Sequence, residues 1–196
     1  MTKKKYSANL TGAWFLFYEI KQVIKLMELG MNTQDIRNEI IEENLFQHKS
    51  KSSVKRALPT LIRRAELLST ELRQILLKDN MENGRIINLY AIMLEDRLFS
   101  EFMYEIIEEK YKLEQLYLED KDINGFFTKK AEESKKVANF KMSTIKKLRQ
   151  VYLKILMEVN ILSDLKFKDL NKIYIDEKLA NLIIANGGED FIKIFN

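Results

Sequence analysis

The chain has 196 residues, of which 46% are hydrophobic and 32% charged, with a net charge of +4. A chain of this length buries about 70% of the surface its unfolded form exposes, so it can fold on its own core. One proline and six glycines argue against long disordered linkers, and the lack of cysteine excludes a disulfide, a thiolate nucleophile and a cysteine-held metal.

Apolar residues recur at three and four along most of the sequence, which predicts an all-α, mainly helical fold: a compact multi-helix bundle with one small wing-like β-hairpin near the C-terminus. The N-terminus is basic and then apolar. Its uninterrupted apolar run spans only Ala13 to Tyr18 before Glu19 and Lys21, short of the about 20 residues of a membrane span, and no small-residue cleavage pattern follows. The expectation is a cytoplasmic protein without a membrane segment. A first helix is predicted from Gly12 to Leu29, burying Trp14, Phe17, Ile20, Ile24 and Met27 and stopping at Gly30. Asn32 is the predicted N-cap of a second helix ending near Asn44, with Asp35 at its positive end and Ile36, Ile40 and Ile41 on its apolar face.

The stretch QHKSKSSVKRALPTLIRR, residues 47–64, then brings six basic side chains and no acidic one, along with the only histidine and the only proline. On a helical wheel Val54, Leu58, Leu61, Ile62, Ala65 and Leu68 share one face, and Arg56, Thr60 and Arg63 lie opposite. Ser52 or Ser53 can cap the start, with Lys49, Ser50 and Lys51 just ahead of it. The unpaired N–H groups and dipole of such a start attract phosphate. Arg56 and Arg63 stand about 10.5 Å apart along the axis, a spacing that suits two phosphates. They could equally pair with Glu42, Glu43 or Glu66. Pro59 either kinks this helix or breaks it, and a break would undo the wheel.

Further helices are predicted over residues 70–78, 85–95, 100–113 and 123–133, followed by a long one from Ser143, its N-cap, to Val159. In the long helix Ile145, Leu148, Tyr152, Ile155 and Val159 form the apolar face, leaving Lys146, Lys147, Gln150 and Lys154 outward. The segment LKFKDLNKIYID alternates apolar and polar residues around KDLN, which predicts the hairpin, with Lys166, Lys168 and Lys172 on it. Asp176 caps a helix running to Ala185, stopped by Gly187 and Gly188, before a last short helix near Phe191. The order of elements after residue 119 resembles a winged helix-turn-helix, so the expected division is 1–118 and 119–196, or else one compact unit. Charge is segregated as well: residues 95–120 carry nine acidic and three basic side chains, and 129–149 carry two acidic and eight basic.

Catalytic devices are scarce. A lone histidine, His48, cannot make a two-histidine metal site, and there is no phosphate-binding loop, dinucleotide turn or nucleophile elbow. Glu108 with Lys110, Asp164 with Lys166 and Asp176 with Lys178 match the end of a nuclease signature, a spacing that chance supplies in a lysine-rich chain. No catalytic residue, no metal and no cofactor is assigned.

Three segments carry a resemblance: YSANLTGAWFLFYE, then EENLFQHKSKSSVKR followed by Arg63 and Arg64, then STIKKLRQVYLKILMEVNIL. In this order and spacing they resemble the BrxA proteins of bacteriophage-exclusion (BREX) defence systems, over nearly the whole chain. The resemblance implies a small helical cytoplasmic protein, similar in part to the antitermination factor NusB, that binds DNA without enzymatic activity. It also implies work alongside larger BREX proteins, including a methyltransferase and ATPases. It carries nucleic-acid contact onto Ser53, Lys55, Arg56 and Arg63, with Pro59 departing from the uninterrupted helix expected there. Together with the basic surfaces read from the residues, the candidate contacts are Lys49, Lys51, Ser53, Lys55, Arg56, Arg63, Arg64, Lys146, Lys147, Lys154 and Lys168. The expected partners are double-stranded DNA and other BREX proteins. The alternatives are an interaction scaffold that docks through the acidic helix from Ser100 to Tyr117, and RNA in place of DNA.

Overall fold

The apolar run at Ala13 to Tyr18 turns helical only at its end. In the computed structural model, which describes residues 4–196, α1 spans Phe17–Glu28, and Leu16 ahead of it sits in the left-handed region at φ 42°. That conformation costs a leucine about 1–2 kcal/mol, and two later side chains hold it in place. Arg64 donates to the carbonyls of Ala13 and Trp14 at 2.5 and 2.6 Å, and Asn88 donates to that of Phe15 at 2.7 Å. Three successive carbonyls that a helix would bond internally are thus satisfied from outside. Ala13 and Phe15 are buried, while Trp14, Phe17 and Met27 of the expected core are only half-covered.

The stop at Gly30 holds. Its φ of +80° lets its own N–H reach the Met27 carbonyl and the Met31 N–H reach that of Leu26, at 2.9 and 3.2 Å. α2 (Thr33–Glu42) starts on Asn32, whose side chain accepts from the N–H groups of Gln34 and Asp35. α3 (Lys51–Glu66) runs unbroken through Pro59, which decides between the kink and the break. Its predicted apolar face is buried, but so are Thr60 and Arg64, so the covered arc is wider than the wheel drew it. α4 (Thr70–Lys78) is capped by Ser69, and α5 (Met81–Glu95) is buried at every position from Ile86 to Met93. A helix covered all round is a central one, and α5 packs on α3 and α4, while α1 packs on α2, α3 and α4. These helices make up the unit Gly12–Glu95.

The second unit joins the segment up to Thr11 to Asp96–Asn196. The chain therefore divides at 11/12 and 95/96, not at 118/119. Asp96 caps α6 (Arg97–Phe102), which continues through a π-helical stretch (Met103–Glu108) into α7 (Glu109–Lys112), where a single α-helix is predicted. α8 (Asp120–Glu133) opens on a reciprocal capping box of Glu119 and Asp122. A short α9 (Lys135–Ala138) precedes α10 (Met142–Glu158), whose N-cap is Lys141 rather than Ser143. Leu148, Tyr152, Ile155 and Val159 are buried as predicted, and the Tyr152 ring meets those of Phe99, Phe102 and Phe127 at centroid distances of 4.9, 5.1 and 5.6 Å. Such ring pairs contribute about 0.5–1.5 kcal/mol each beyond their buried area. A 3-10 turn at Asn9–Thr11, with Leu10 buried, packs on α10. α11 (Glu177–Ala185), capped by Asp176, and α12 (Glu189–Lys193) close the unit.

The hairpin does not form. Asp164 accepts from the N–H groups of Lys166 and Phe167 at 2.6 and 2.7 Å, and Lys168 turns left-handed at φ 57°. The alternating segment is thereby folded into a loop that exposes Leu165 and Phe167. Two isolated bridges, Tyr117 with Asp169 and Leu162 with Leu170, are the only β pairing among the described residues, so the expected wing is missing from the fold.

Candidate nucleic-acid interface

The entry to α3 is built from the loop that precedes it. Asn44 and Gln47 adopt positive φ, Phe46 is buried as an anchor, and the Asn44 side chain donates to the His48 carbonyl at 3.2 Å. His48 then ties the loop to two helices. Its Nε2 meets Glu19 Oε1 of α1 at 2.8 Å, and its Nδ1 meets Ser53 Oγ of α3 at 3.2 Å. Ser53 in turn donates to the Ser50 carbonyl at 2.7 Å. His48 and Ser53 are both half-buried, so Ser53 braces the helix entry instead of reaching outward as a phosphate contact. Glu19 is a partner of His48 that sequence reasoning missed, and a separation of 29 residues left no local signal for it.

This bracing presents a set of cations. Lys49, Lys51, Lys55 and Arg56 are exposed, and none makes an ion pair among the described residues. Lys51 and Lys55 lie about 6 Å apart along the axis, on one side of the first turns. Ser50 occupies the N-cap with no side chain bonded to the helix N–H groups, so the positive end of the dipole stays open beside these lysines.

The other expected contacts of this stretch fall away from the set. Arg64 is fully buried, with both terminal nitrogens donating to backbone carbonyls, which removes it from any surface. Arg63 is half-exposed but bonded to Glu95 at 2.9 Å and to Thr60 Oγ1 at 3.1 Å, rather than to Glu42, Glu43 or Glu66.

In the second unit Lys146, Lys147 and Lys154 stand exposed on α10, and Lys146 and Lys147 make no ion pair among the described residues. Lys168 is held by Asp120 at 2.6 Å, with only 17% of its side chain exposed, so it is committed within the fold. That bond, followed by the nearby Lys168 charge, keeps the Asp120 carboxyl below its usual range. Three of the five acids of the predicted acidic helix are answered internally: Glu101 meets Arg97 and Lys130, Glu105 meets Lys129 and Lys130, and Glu108 meets Lys112, while Glu109 and Glu114 are exposed without an ion pair among the described residues.

Among the described residues no group of three histidine or carboxylate side chains is placed to hold a metal, and no helix is long and apolar enough to cross a membrane. The nuclease-like pairs are spoken for too, since Lys110 is buried against Asp122 at 2.8 Å and Asp164 holds its own loop.

Fold and surface thus define a mainly helical protein that carries exposed cationic helix faces. The BrxA family profile matches residues 4–187, and the chain belongs to the BrxA family, components of BREX phage-defence systems. A BREX protein BrxA of Bacillus cereus (strain H3081.97) is 35% identical over 82% of this chain and 80% of its own. Another BREX protein BrxA, of Paramagnetospirillum magneticum (strain ATCC 700264 / AMB-1), is 21% identical over 98% and 97%. The crystal structure of an uncharacterized protein from Magnetospirillum magneticum superposes with a TM-score of 0.85 at 19% identity, covering 98% of this chain and 99% of that one, a likeness of fold.

Proposed function

We propose that this chain serves BREX defence as a non-enzymatic accessory protein that holds double-stranded DNA by its phosphates and works alongside other BREX proteins. The observation that carries the reading is the entry to α3, where Lys49, Lys51, Lys55 and Arg56 are exposed without ion pairs around an open helix N-terminus. Unpaired cations there gain a partner on binding instead of exchanging one, and the dipole adds to the attraction. Three of the four cations are lysines, point charges suited to phosphate, so the reading is a contact with the backbone.

Four phosphate contacts give a salt slope of about −3.6, or roughly a hundredfold loss of affinity between 50 and 200 mM salt. The test is a salt-titrated binding assay with duplex DNA, single strands and RNA side by side, run on the natural chain and on a variant with Lys49, Lys51, Lys55 and Arg56 all changed to Ala. The variant is expected to bind every duplex sequence more weakly and to lose most of the slope. Unchanged duplex affinity in the variant would sink this interface, and a clear preference for RNA would replace the ligand.

A further inference from the structure

The second unit holds a cleft lined by basic residues from both of its chain segments. Lys4, Lys5, Arg97, Glu133, Ser134 and Lys136, with Tyr6 beneath them, line a cleft of about 660 Å³. Pockets that take a small ligand run from about 300 to 1,000 Å³, and this one lies within that range.

The walls are fixed before any ligand arrives. The Arg97 guanidinium lies 3.9 Å over the Tyr6 ring, donates to Tyr6 Oη at 2.9 Å and to Glu101 at 2.7 Å, and reaches the Lys4 carbonyl at 3.2 Å. Tyr6 donates to Glu101 at 2.8 Å, and burial, then that hydrogen bond, push its hydroxyl up to about 12, so it stays a neutral donor. Lys130, buried below, bonds Glu101 at 2.8 Å, Glu133 at 3.0 Å and also Glu105. The acids at the cleft are therefore already answered by Arg97 and Lys130. Lys5 and Lys136 are not: both are exposed and make no ion pair among the described residues. Ser134 adds a hydroxyl on the same wall.

We propose that this cleft is a site for the phosphate groups of a nucleotide, with Lys5 and Lys136 as its charged contacts and Ser134 as a neutral one. Charge-assisted bonds from the two lysines supply the attraction. The site is built entirely from the second unit and does not depend on the α3 reading.

The same phosphate chemistry is offered by a free nucleotide and by a nucleic-acid strand, and amide NMR of the ¹⁵N-labelled full chain separates them. Tripolyphosphate, ATP and a short DNA duplex are titrated separately. Tripolyphosphate or ATP is expected to shift the amides of Tyr6, Ser134 and Lys136 saturably. Lys5→Glu with Lys136→Glu should weaken that binding by about tenfold or more, while the α3 variant binds these small anions as before. If the duplex moves the same amides, the site takes the phosphates of a strand; if only the small anions do, it takes a free nucleotide. Either result upholds a phosphate site. Absent or non-saturating shifts, or equal affinity in the double variant, would overturn it. That outcome would leave the α3 interface standing, because the alanine variant tests it separately.

Discussion

Arg64 shows how far a residue's role can lie from its neighbours in sequence. It sits beside Arg63 in a basic run, yet it is 0% exposed and binds carbonyls 50 and 51 residues away. The wheel already sets Arg63 opposite the apolar face and Arg64 about 100° round, at the edge of that face, but the carbonyls that hold Arg64 come from the non-helical path of Ala13 to Leu16, which no local pattern shows. Replacing it with Met keeps most of the volume and removes the donors, stranding two backbone acceptors at about 1–3 kcal/mol each. Urea unfolding of Arg64→Met should show a loss of about 2–5 kcal/mol with duplex affinity per folded molecule unchanged. The reverse pattern, intact stability and weakened binding, would return Arg64 to the interface.

At the scale of elements, legibility follows how local the determinants are. α4 and α11 have the predicted bounds because an N-cap side chain, Ser69 or Asp176, and a short amphipathic run define each. Helix starts set by distant partners were not legible, as α1 shows. The hairpin misled for another reason: its alternation is real, but Asp164 captures two backbone N–H groups and closes a loop before strands can pair. Lys49, Lys51, Lys55 and Arg56 were legible as exposed cations, whereas the inward turn of Ser53 depends on His48 and Glu19 meeting across two helices. Pro59 matters less than its position suggests, since the exposed cations of α3 without an ion pair precede it and Arg63 beyond it is taken by Glu95. An interior proline costs a helix about 3 kcal/mol, offset by about 1 kcal/mol through the stiffer unfolded chain. Pro59→Ala is thus expected to raise stability by about 1–2 kcal/mol with no change in duplex affinity. A large loss of affinity would mean that the proline shapes the surface after all.

For the whole molecule, the decisive feature is that Gly12–Glu95 is inserted within the sequence of the other unit. The segment before the insertion contributes Leu10, fully buried, the Tyr6 bond to Glu101, and a bond from Ser7 to Asp96 at 3.2 Å. Removing residues up to Thr11 should therefore lower hydrogen-exchange protection in α6, α8 and α10 while α1 to α5 keep theirs. Equal loss in both sets would show that the units open as one.

That insertion also sets a timetable. On the ribosome, Tyr6 and Leu10 are made before Asp96–Asn196, the rest of the unit they complete, while Gly12–Glu95 is a continuous stretch of chain. At about 5–20 residues per second, the residues around Leu10 wait roughly 4 to 20 s for Asp96 alone, and longer for α10. The earliest of the described residues to be synthesised are thus among the last to be buried, and a nascent chain stalled near residue 95 would carry one complete unit with Tyr6 and Leu10 still in water.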